Sequence, residues 1–322
     1  CKAYTEQMHL QLALDSSSRV IEIASNDGYL LQYFAANGIP VLGVEPAANV
    51  AAVAEEKGIP TLVKFFGVET ATELAASGQQ ADLLLGNNVL AHVPDINDFV
   101  AGMAIALKPG GTITMEFPHL LQLMRHNQFD TIYHEHFSYL SLLSVERIFA
   151  AHGLHIFDVE ELPTHGGSLR IHAQHAAGSD VSDRVAAVRR AESDAGLSDI
   201  AAYANFGERA AATRAALREF LENARQDGKR VAAYGAPAKG NTLLNYCDVG
   251  TDLIDFTVDR SPAKQGRLLP GTHIPVHAPE KLLDARPDYV LILPWNIKDE
   301  IMEKMSAVQD WGGKFVVPIP SV

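Results

Sequence analysis

The stretch "VIEIASNDGYLL", residues 20–31, decides the fold of the first half of the chain. Glu22 ends a strand pattern and a helical pattern begins after Gly28, with small or polar residues between them. Small residues at such a turn allow backbone N–H groups to approach a ligand where a helix begins, at the carboxyl edge of a parallel sheet. The G-x-G-x-x-G pattern of NAD-type sites is absent. The stretch therefore predicts a nucleotide-type site that differs from an NAD site.

Strand patterns alternate with helical patterns along the rest of the first half. This alternation predicts an α/β fold with a parallel sheet covered by helices on both faces. Two further strand candidates, residues 154–162 and 168–175, come later. The earlier strand patterns are residues 19–24, 40–45, 60–63, 81–86 and 111–117.

The second half begins with a long helical pattern, residues 180–228, which is rich in Ala, Arg and Glu. A second α/β series follows, with strand patterns at residues 230–235, 253–259 and 288–294. We therefore expect a Rossmann-like domain over residues 1–178. Residues 179–322 are expected to form a helical connector and a second, C-terminal α/β domain.

Composition limits the classes of function. The 322 residues carry 26 basic and 39 acidic side chains, a net charge of -13, which disfavours a nucleic-acid binder. The two cysteines, Cys1 and Cys247, argue against a disulfide framework and against a four-cysteine zinc module within this chain. No apolar run approaches the ~20 residues that span a bilayer. We expect a cytoplasmic monomer that acts on a small molecule, away from membranes.

Further polar residues follow the predicted strands at the same edge of the sheet. Glu45 comes about twenty residues after the turn, where a carboxylate can accept hydrogen bonds from both hydroxyls of a ribose, although a surface Glu at a strand end is the alternative. Asn87, Asn88 and His92 follow the next apolar strand. The turn has the form seen in S-adenosylmethionine methyltransferases, with Ala24 and Asn26 where glycines are usual, and "ALKPGGTITMEFP" (106–118) resembles the late part of their core.

The segment "DTIYHEHFSYL", residues 130–140, has three interpretations. His134 and His136 could bind zinc with His119 or His126, but no third ligand is fixed by the sequence. The segment could also be a polar loop. The third interpretation is a general base, because methylation of carbon needs an enolate and histidine, with a pKa near ~6.5, can remove the proton next to a carbonyl. Acid–base chemistry fits best, with Glu135 orienting an imidazole and Tyr133 donating to the enolate oxygen; we predict no metal site.

Eight motifs in order resemble the nucleotide-sugar C-methyltransferases, which act on 4-keto deoxysugars. The resemblance covers essentially the whole chain and implies S-adenosylmethionine as cofactor and a nucleotide-sugar as substrate. Family members have an N-terminal zinc-binding domain whose cysteines do not occur here, so we expect zinc only if such a domain precedes this chain. The motifs are "EIASNDGYLL", "GVEP", "GNNVLAHVPD", "EFPHL", "YHEHFSYLS", "HGGSLR", "YGAPAKGNTLLN" and "LPGTHIPV".

The resemblance also implies roles for single residues. His136 would be the base, supported by Tyr133, Glu135 and His92, and Asn88 with His92 would line the sugar pocket. The methyl-donor site would consist of Glu22, Ala24, Ser25, Asn26, Asp27, Gly28, Glu45 and Asn87.

Two other segments are candidates for binding the anionic part of the substrate. In "YGAPAKGN" (234–241), Gly235, Lys239 and Asn241 stand at a strand-to-helix turn, which suits a pyrophosphate as well as it suits a structural loop. In "HGGSLR" (165–170), Arg170 is a further anion candidate beside a turn.

Two alternative functions remain open at this point. One is an S-adenosylmethionine-dependent O- or N-methyltransferase of a small metabolite. The other is a binding module for a nucleotide-sugar or S-adenosylmethionine that performs no catalysis.

Overall fold

The computed structural model describes residues 1–175 and 180–321, which form two compact units. The first unit comprises Cys1–Leu120 and His136–Ser198, and the second comprises Leu121–Glu135 and Asp199–Val322. The predicted domain boundary between residues 178 and 179 lies outside the described residues and stays a prediction.

The first unit contains a seven-stranded sheet with the strand order β3-β2-β1-β4-β5-β7-β6. Strands β1 to β5 pair in parallel, as the alternating pattern predicts, whereas β7 runs antiparallel to both β5 and β6. The sheet is therefore mixed rather than wholly parallel, because a short connection joins β6 to β7 and no helix crosses over between them. The strands are β1 (Val20–Ile23), β2 (Val41–Val44), β3 (Thr61–Leu62), β4 (Ala81–Asn87), β5 (Leu107–Pro118), β6 (Leu154–Leu162) and β7 (Ser168–His175).

Helices fill the connections, and two of them occupy the segment that the sequence predicts as helical between the two α/β series. The helices are α1 (Lys2–Gln11), α2 (Leu31–Ala36), α3 (Ala48–Glu56), α4 (Val68–Ala76), α5 (Ile96–Ala106), α6 (Leu120–Arg125), α7 (Leu142–Ala151), α8 (Asp183–Asp194), α9 (Ala201–Gln226), α10 (Ala238–Tyr246), α11 (Glu280–Ala285) and α12 (Lys298–Lys304). Single 3₁₀ turns include Leu90–His92, Phe129–Thr131 and Trp295–Ile297.

The first sheet is buried on both faces. In β1, Ile21 and Ile23 belong to one hydrophobic cluster and Val20 to another, and Leu84 and Leu85 of β4 divide in the same way. Alternate residues of a strand point to opposite faces, so apolar side chains cover both sides and the strands read as continuous apolar runs. Glu22 lies on the same face as Val20, inside this apolar environment.

Local sequence signals fix the ends of several helices. Asp95 accepts hydrogen bonds from the backbone N–H groups of Asn97 and Asp98 and so begins α5. Ser141 and Ser144 form a reciprocal capping box at the start of α7. Helix α7 begins directly after the histidine-rich segment, so its capping box marks where that segment ends.

The second unit contains a parallel five-stranded sheet in the order β10-β9-β8-β11-β12. Neighbouring residues of its central strands again divide between two hydrophobic clusters, so this sheet is also covered on both faces. The predicted second α/β domain is confirmed. Its strands are β8 (Val231–Tyr234), β9 (Thr257–Val258), β10 (Val276–His277), β11 (Tyr289–Ile292) and β12 (Lys314–Val316).

Residues 121–135, including most of α6, pack with the second unit although they precede it by more than sixty positions in the chain. Phe129 belongs to a hydrophobic cluster of this unit and its ring lies 5.1 Å from that of Tyr246. Asn127 Nδ2 donates a 2.9 Å hydrogen bond to Thr213 Oγ1 on α9. The histidine-rich segment therefore begins in the second unit and continues in the first from His136.

Candidate active site

The turn after β1 has the backbone of a glycine-rich loop without most of the glycines. Ala24, Asn26 and Gly28 have positive φ angles of 56°, 49° and 73°. The left-handed region favours glycine and tolerates asparagine, which explains why glycines are usual at these positions. Ala24 N donates to Val44 O at 2.8 Å, so the turn starts beside the end of β2.

Glu45 closes this turn from the neighbouring strand. Its Oε2 accepts from Asn26 N at 3.1 Å and its Oε1 from Ala47 N at 2.8 Å, and the side chain is buried. An ionised carboxylate has about four acceptor positions, so both oxygens can still accept a hydroxyl. The geometry fits the predicted hydrogen bonds to a ribose.

Glu22 is a buried acid at the same edge. Its side chain is 1% exposed, and its Oε2 has no hydrogen-bond partner among the described residues. Desolvation raises the pKa of Glu22 well above its ordinary value, because an apolar environment disfavours the charged form. A cation placed beside it would restore the ionised form, and the amino group of a bound methionine moiety is such a cation.

These residues fit S-adenosylmethionine. Besides the unpartnered Glu22 oxygen, Ser25 Oγ is buried and makes no hydrogen bond within the described parts of the chain. A Cβ at Gly43 would collide with the Ser25 side chain, so the turn packs closely on β2. Asp27 lies at the exposed side of the turn and pairs with Lys57, and the Lys57 ammonium lowers the pKa of Asp27.

The end of β4 carries the next predicted residues. Asn87 is the last residue of β4, and Asn88 follows with a φ of 53°. Asn88 N donates to Glu116 O at 2.8 Å, and its Nδ2 lies 2.7 Å from His165 Nε2. Both asparagines therefore lie at the carboxyl edge of the sheet, where the turn after β1 also lies.

His136 lies beside His92 at this edge. The backbone N–H groups of Phe137 and Ser138 both donate to Ala91 O, at 2.8 and 3.2 Å, and this pair of bonds fixes the segment against the turn after β4. The His92 and His136 rings are 4.7 Å apart in an edge-to-face arrangement, and the Tyr139 ring lies 5.7 Å from that of His136, also edge-to-face. His136 is half-buried, whereas His134 is exposed.

Tyr133 and Glu135 belong to the second unit by their packing and are adjacent to His136 in the chain. Tyr133 is half-buried and Glu135 is exposed. Their predicted roles, like those of His92 and His136, remain predictions.

Arg170 lies on β7 with its charge balanced inside the first unit. Its guanidinium donates to Glu116 at 2.7 Å, lies 3.5 Å from Glu160 and stacks over the Tyr4 ring at 4.6 Å. These contacts give Arg170 a structural role in pairing β5, β6 and β7. Its role as an anion ligand stays a prediction.

In the second unit, the turn after β8 holds the residues predicted to bind pyrophosphate. Gly235 has a φ of 92°, and a Cβ there would collide with Pro294, so glycine is required. Lys239 lies in the first turn of α10, donates to Asn296 Oδ1 at 2.8 Å and places its Nζ 4.5 Å from the centre of the Trp295 ring. Asn241 lies in the same helix, with a buried Oδ1 that has no partner in the described structure.

Asp130, the first residue of the histidine-rich segment, is a buried acid in the second unit, and sequence reasoning missed its burial and its partner. Its Oδ2 accepts from Trp295 Nε1 at 2.7 Å, and the side chain is fully buried. Burial raises the pKa of Asp130 to about 6, partly opposed by the Trp295 hydrogen bond and by the charge of Lys239. Burial also lowers the pKa of Lys239, and Asp130 opposes that change.

Asp259 is a second residue that sequence reasoning missed. It follows β9, and its Oδ2 accepts from Ala236 N at 2.7 Å while its Oδ1 accepts from Ser261 N at 2.8 Å. The signal was present, because Asp259 ends the strand pattern "LIDFTVD" (253–259) just as Glu45 ends "PVLGVE" (40–45).

Two features do not occur within the described ranges, residues 1–175 and 180–321. No group of three or more His, Cys, Asp or Glu residues there is placed to hold a metal ion. Within the same ranges, no helix is both long and apolar enough to cross a membrane.

Comparisons with known proteins divide the chain in two. Residues 2–159 match a family model described as a methyltransferase domain, and residues 163–320 match a C-methyltransferase C-terminal domain. The C-methyltransferase NovU of Streptomyces niveus is 40% identical over 311 residues, covering 96% of this chain and 74% of that protein. A ubiquinone biosynthesis O-methyltransferase of Chelativorans sp. (strain BNC1) is 34% identical over 94 residues, covering 29% of this chain and 37% of that protein.

Proposed function

The chain belongs to the S-adenosylmethionine-dependent C-methyltransferases, and on that premise we propose that its substrate is a nucleotide-linked 4-keto deoxysugar, methylated on the carbon next to the keto group. One observation carries this proposal. The half-buried imidazole of His136 lies at the carboxyl edge of the sheet that also carries the Glu22–Glu45 turn. A base and a methyl-donor site on the same sheet edge are what carbon methylation requires.

The reaction needs a carbon nucleophile. S-adenosylmethionine, when bound, supplies an electrophilic methyl group with a neutral sulfide as leaving group. In the proposed mechanism, His136 takes the proton from the carbon next to the keto group, and the electron pair of that C–H bond passes into an enolate. The enolate carbon then forms the new C–C bond, and His136 retains the proton until solvent removes it.

Neighbouring residues support the base in this proposal. The His92 ring packs edge-to-face on His136, as Tyr139 does, so the imidazole orientation is fixed by two rings. Tyr133 would donate to the enolate oxygen and Glu135 would stabilise the imidazolium. Asn88 would contribute an amide to the sugar pocket.

The nucleotide part of the substrate is assigned to the second unit. Gly235 allows close backbone approach at the start of α10, where a helix N-terminus favours an anion. Lys239 and Asn241 in the same helix would contact the pyrophosphate. The substrate would be a free small molecule bound by a monomer, and the net charge of -13 disfavours nucleic acid as a partner.

The decisive experiment compares proton exchange with methylation. We expect the protein to transfer one methyl group to a nucleotide-linked 4-keto deoxysugar and to exchange the adjacent proton with D₂O. His136→Asn should lose at least about 100-fold in both rates, within the range that general bases contribute. His134→Asn, an exposed histidine of the same segment, is the matched control and should keep both rates within about twofold.

Retention of exchange and methylation in His136→Asn would refute the assignment of the base. A product methylated on oxygen or nitrogen, identified by NMR, would instead support the O- or N-methyltransferase alternative. Binding of substrate and S-adenosylhomocysteine without turnover would support a module that only binds.

A further inference from the structure

A fully buried carboxylate on α8 packs inside the first unit. Glu192 is 0% exposed, and its partner His119, the residue directly after β5, is 1% exposed. Glu192 Oε1 lies 2.7 Å from His119 Nε2. The sequence predicts a helical connector at Glu192, and residue 192 falls in the range that matches the C-methyltransferase C-terminal domain. This residue nevertheless belongs to the first unit, which carries His136.

Glu192 completes the start of α7. Its Oε1 accepts from Leu142 N at 2.7 Å and its Oε2 from Leu143 N at 2.9 Å. Ser141 Oγ accepts from Ser144 N at 3.1 Å, so each of the first three N–H groups of the helix has an acceptor. A negative charge is favourable at a helix N-terminus, and all these partners of the carboxylate are N–H groups, so the ionised form of Glu192 fits.

His119 joins the end of β5 to the same segment. Its backbone forms a parallel bridge with Leu140, and Leu120 N donates to Leu140 O at 2.9 Å. His119 Nδ1 is buried and has no partner in the described part of the chain. A protonated ring would leave a buried N–H there without an acceptor, so the neutral tautomer that donates from Nε2 to Glu192 fits best.

The pair holds the segment that carries His136. At one end of residues 136–143, two backbone N–H groups donate to Ala91 O, directly after His136. At the other end, Leu140 is bound to β5 and the next N–H groups are bound to Glu192. Strand β4 lies between β5 and β1 in the sheet, so the pair is one strand removed from the methyl-donor turn after β1.

From these contacts we propose that Glu192 and His119 are positioning residues for His136. Together they fix the start of α7 against the end of β5 and so set the place of the imidazole. Buried charged pairs add little net stability compared with apolar packing, so the use of this pair is to specify one arrangement. The proposal rests on the function proposed above, in which His136 is the base. A base displaced by about 1 Å can lose about 100-fold in rate.

Kinetics of His119→Leu test the proposal, because leucine cannot donate to Glu192. We expect kcat and the rate of substrate proton exchange with D₂O to fall about 10- to 100-fold. The dissociation constant of S-adenosylhomocysteine should stay within about twofold, because the methyl-donor turn keeps its own contacts. His119→Gln can place an amide N–H near the position of Nε2 and should recover both rates to within about threefold.

A second histidine–glutamate pair of the first unit is the matched control. His172 is also 1% exposed, its Nε2 lies 2.8 Å from Glu160 Oε1, and its Nδ1 also has no partner among the described residues. It pairs with Thr114 in the middle of β5, away from the histidine-rich segment. His172→Leu should lower the urea midpoint as His119→Leu does, yet keep both rates within about twofold.

Equal rate losses in His119→Leu and His172→Leu would show that the first pair only stabilises the fold, and would overturn the proposal. If His119→Leu does not fold, Glu192→Gln takes its place in the comparison. Glutamine keeps one acceptor oxygen but turns an N–H group toward Leu143 N, so we expect a loss of about three- to tenfold in both rates.

NMR of the His136 ring separates this proposal from the proposed function. The ring resonances, assigned by their loss in His136→Asn, should shift or broaden in His119→Leu and stay unchanged in His172→Leu. Unchanged His136 resonances in His119→Leu overturn the positioning role, whatever reaction the chain catalyses. Shifted resonances in a chain that neither methylates nor exchanges support the positioning role and refute the proposed function alone.

Discussion

The turns after β1 and β8 share a backbone design, but an acidic side chain lies at the first and a basic side chain at the second. The residue two positions before Ala24 is the acid Glu22, whereas the residue two positions before Gly235 is Ala233. The residue four positions after Ala24 is Gly28, whereas the residue four positions after Gly235 is the base Lys239. The first turn therefore suits a ligand with a cationic group and the second suits an anion. We infer that hydrogen bonds between strands build each turn, whereas the neighbouring side chains select the charge of the ligand.

The largest expected effect comes from removing the cation of the second turn. We expect Lys239→Met to weaken TDP or UDP binding by about 10- to 100-fold, because a charge-assisted contact to phosphate is lost. S-adenosylhomocysteine binding should not change. Calorimetry with both ligands measures this, and an equal loss for both would show that the variant damages the fold rather than one turn.

Removing the acid of the first turn should have an intermediate effect. Burial raises the pKa of Glu22, so below that raised pKa the free protein holds a proton there, and we expect a cationic ligand to displace it. Binding of S-adenosylhomocysteine should therefore release a proton to the buffer near and below the raised pKa. Glu22→Gln should abolish this release and weaken binding about tenfold.

Calorimetry in buffers of different ionisation enthalpy measures the released proton. An undiminished proton release in Glu22→Gln would assign it to another group.

The smallest expected effect concerns Asp130, the buried acid near the second turn. Burial raises its pKa to about 6 from an ordinary value of 3.8, so the folded state binds more protons than the unfolded state between these pH values. The free energy of unfolding should therefore fall as pH rises through this window, by up to about 2–3 kcal/mol, and stay level above it.

Asp130→Asn can still accept the Trp295 hydrogen bond and should lose this pH dependence. Urea unfolding of both proteins between pH 4 and pH 7 gives the difference. Asp288→Asn, at the other end of the same sheet, is the control. Arg230 and Lys229 lower the pKa of the partly exposed Asp288, so the contribution of this acid to the free energy of unfolding should rise with pH, opposite to that of Asp130. Parallel curves for Asp130→Asn and the unmodified chain would contradict the assignment.

Much of the fold and part of the candidate site could be predicted from local sequence. The alternation of strand and helix patterns predicted both α/β units, and the small residues from Ala24 to Gly28 predicted a turn at the sheet edge. The antiparallel direction of β7 was missed, since strand direction depends on the short connection from β6 and not on the apolar pattern. Asp130 was missed as a partner of Trp295 because 165 positions separate them in the chain.

The sequence by itself determined most of the strands, though not β10 and β12, together with the turns and the residue types that can perform carbon methylation, because these follow from patterns within about ten positions of the chain. The tertiary structure decided which of those residues meet. It packed His136 against His92, bound Asp130 to Trp295, and showed that Asp259 repeats the contacts of Glu45. Burial and pairing across long sequence separations set these contacts, and no local pattern encodes them.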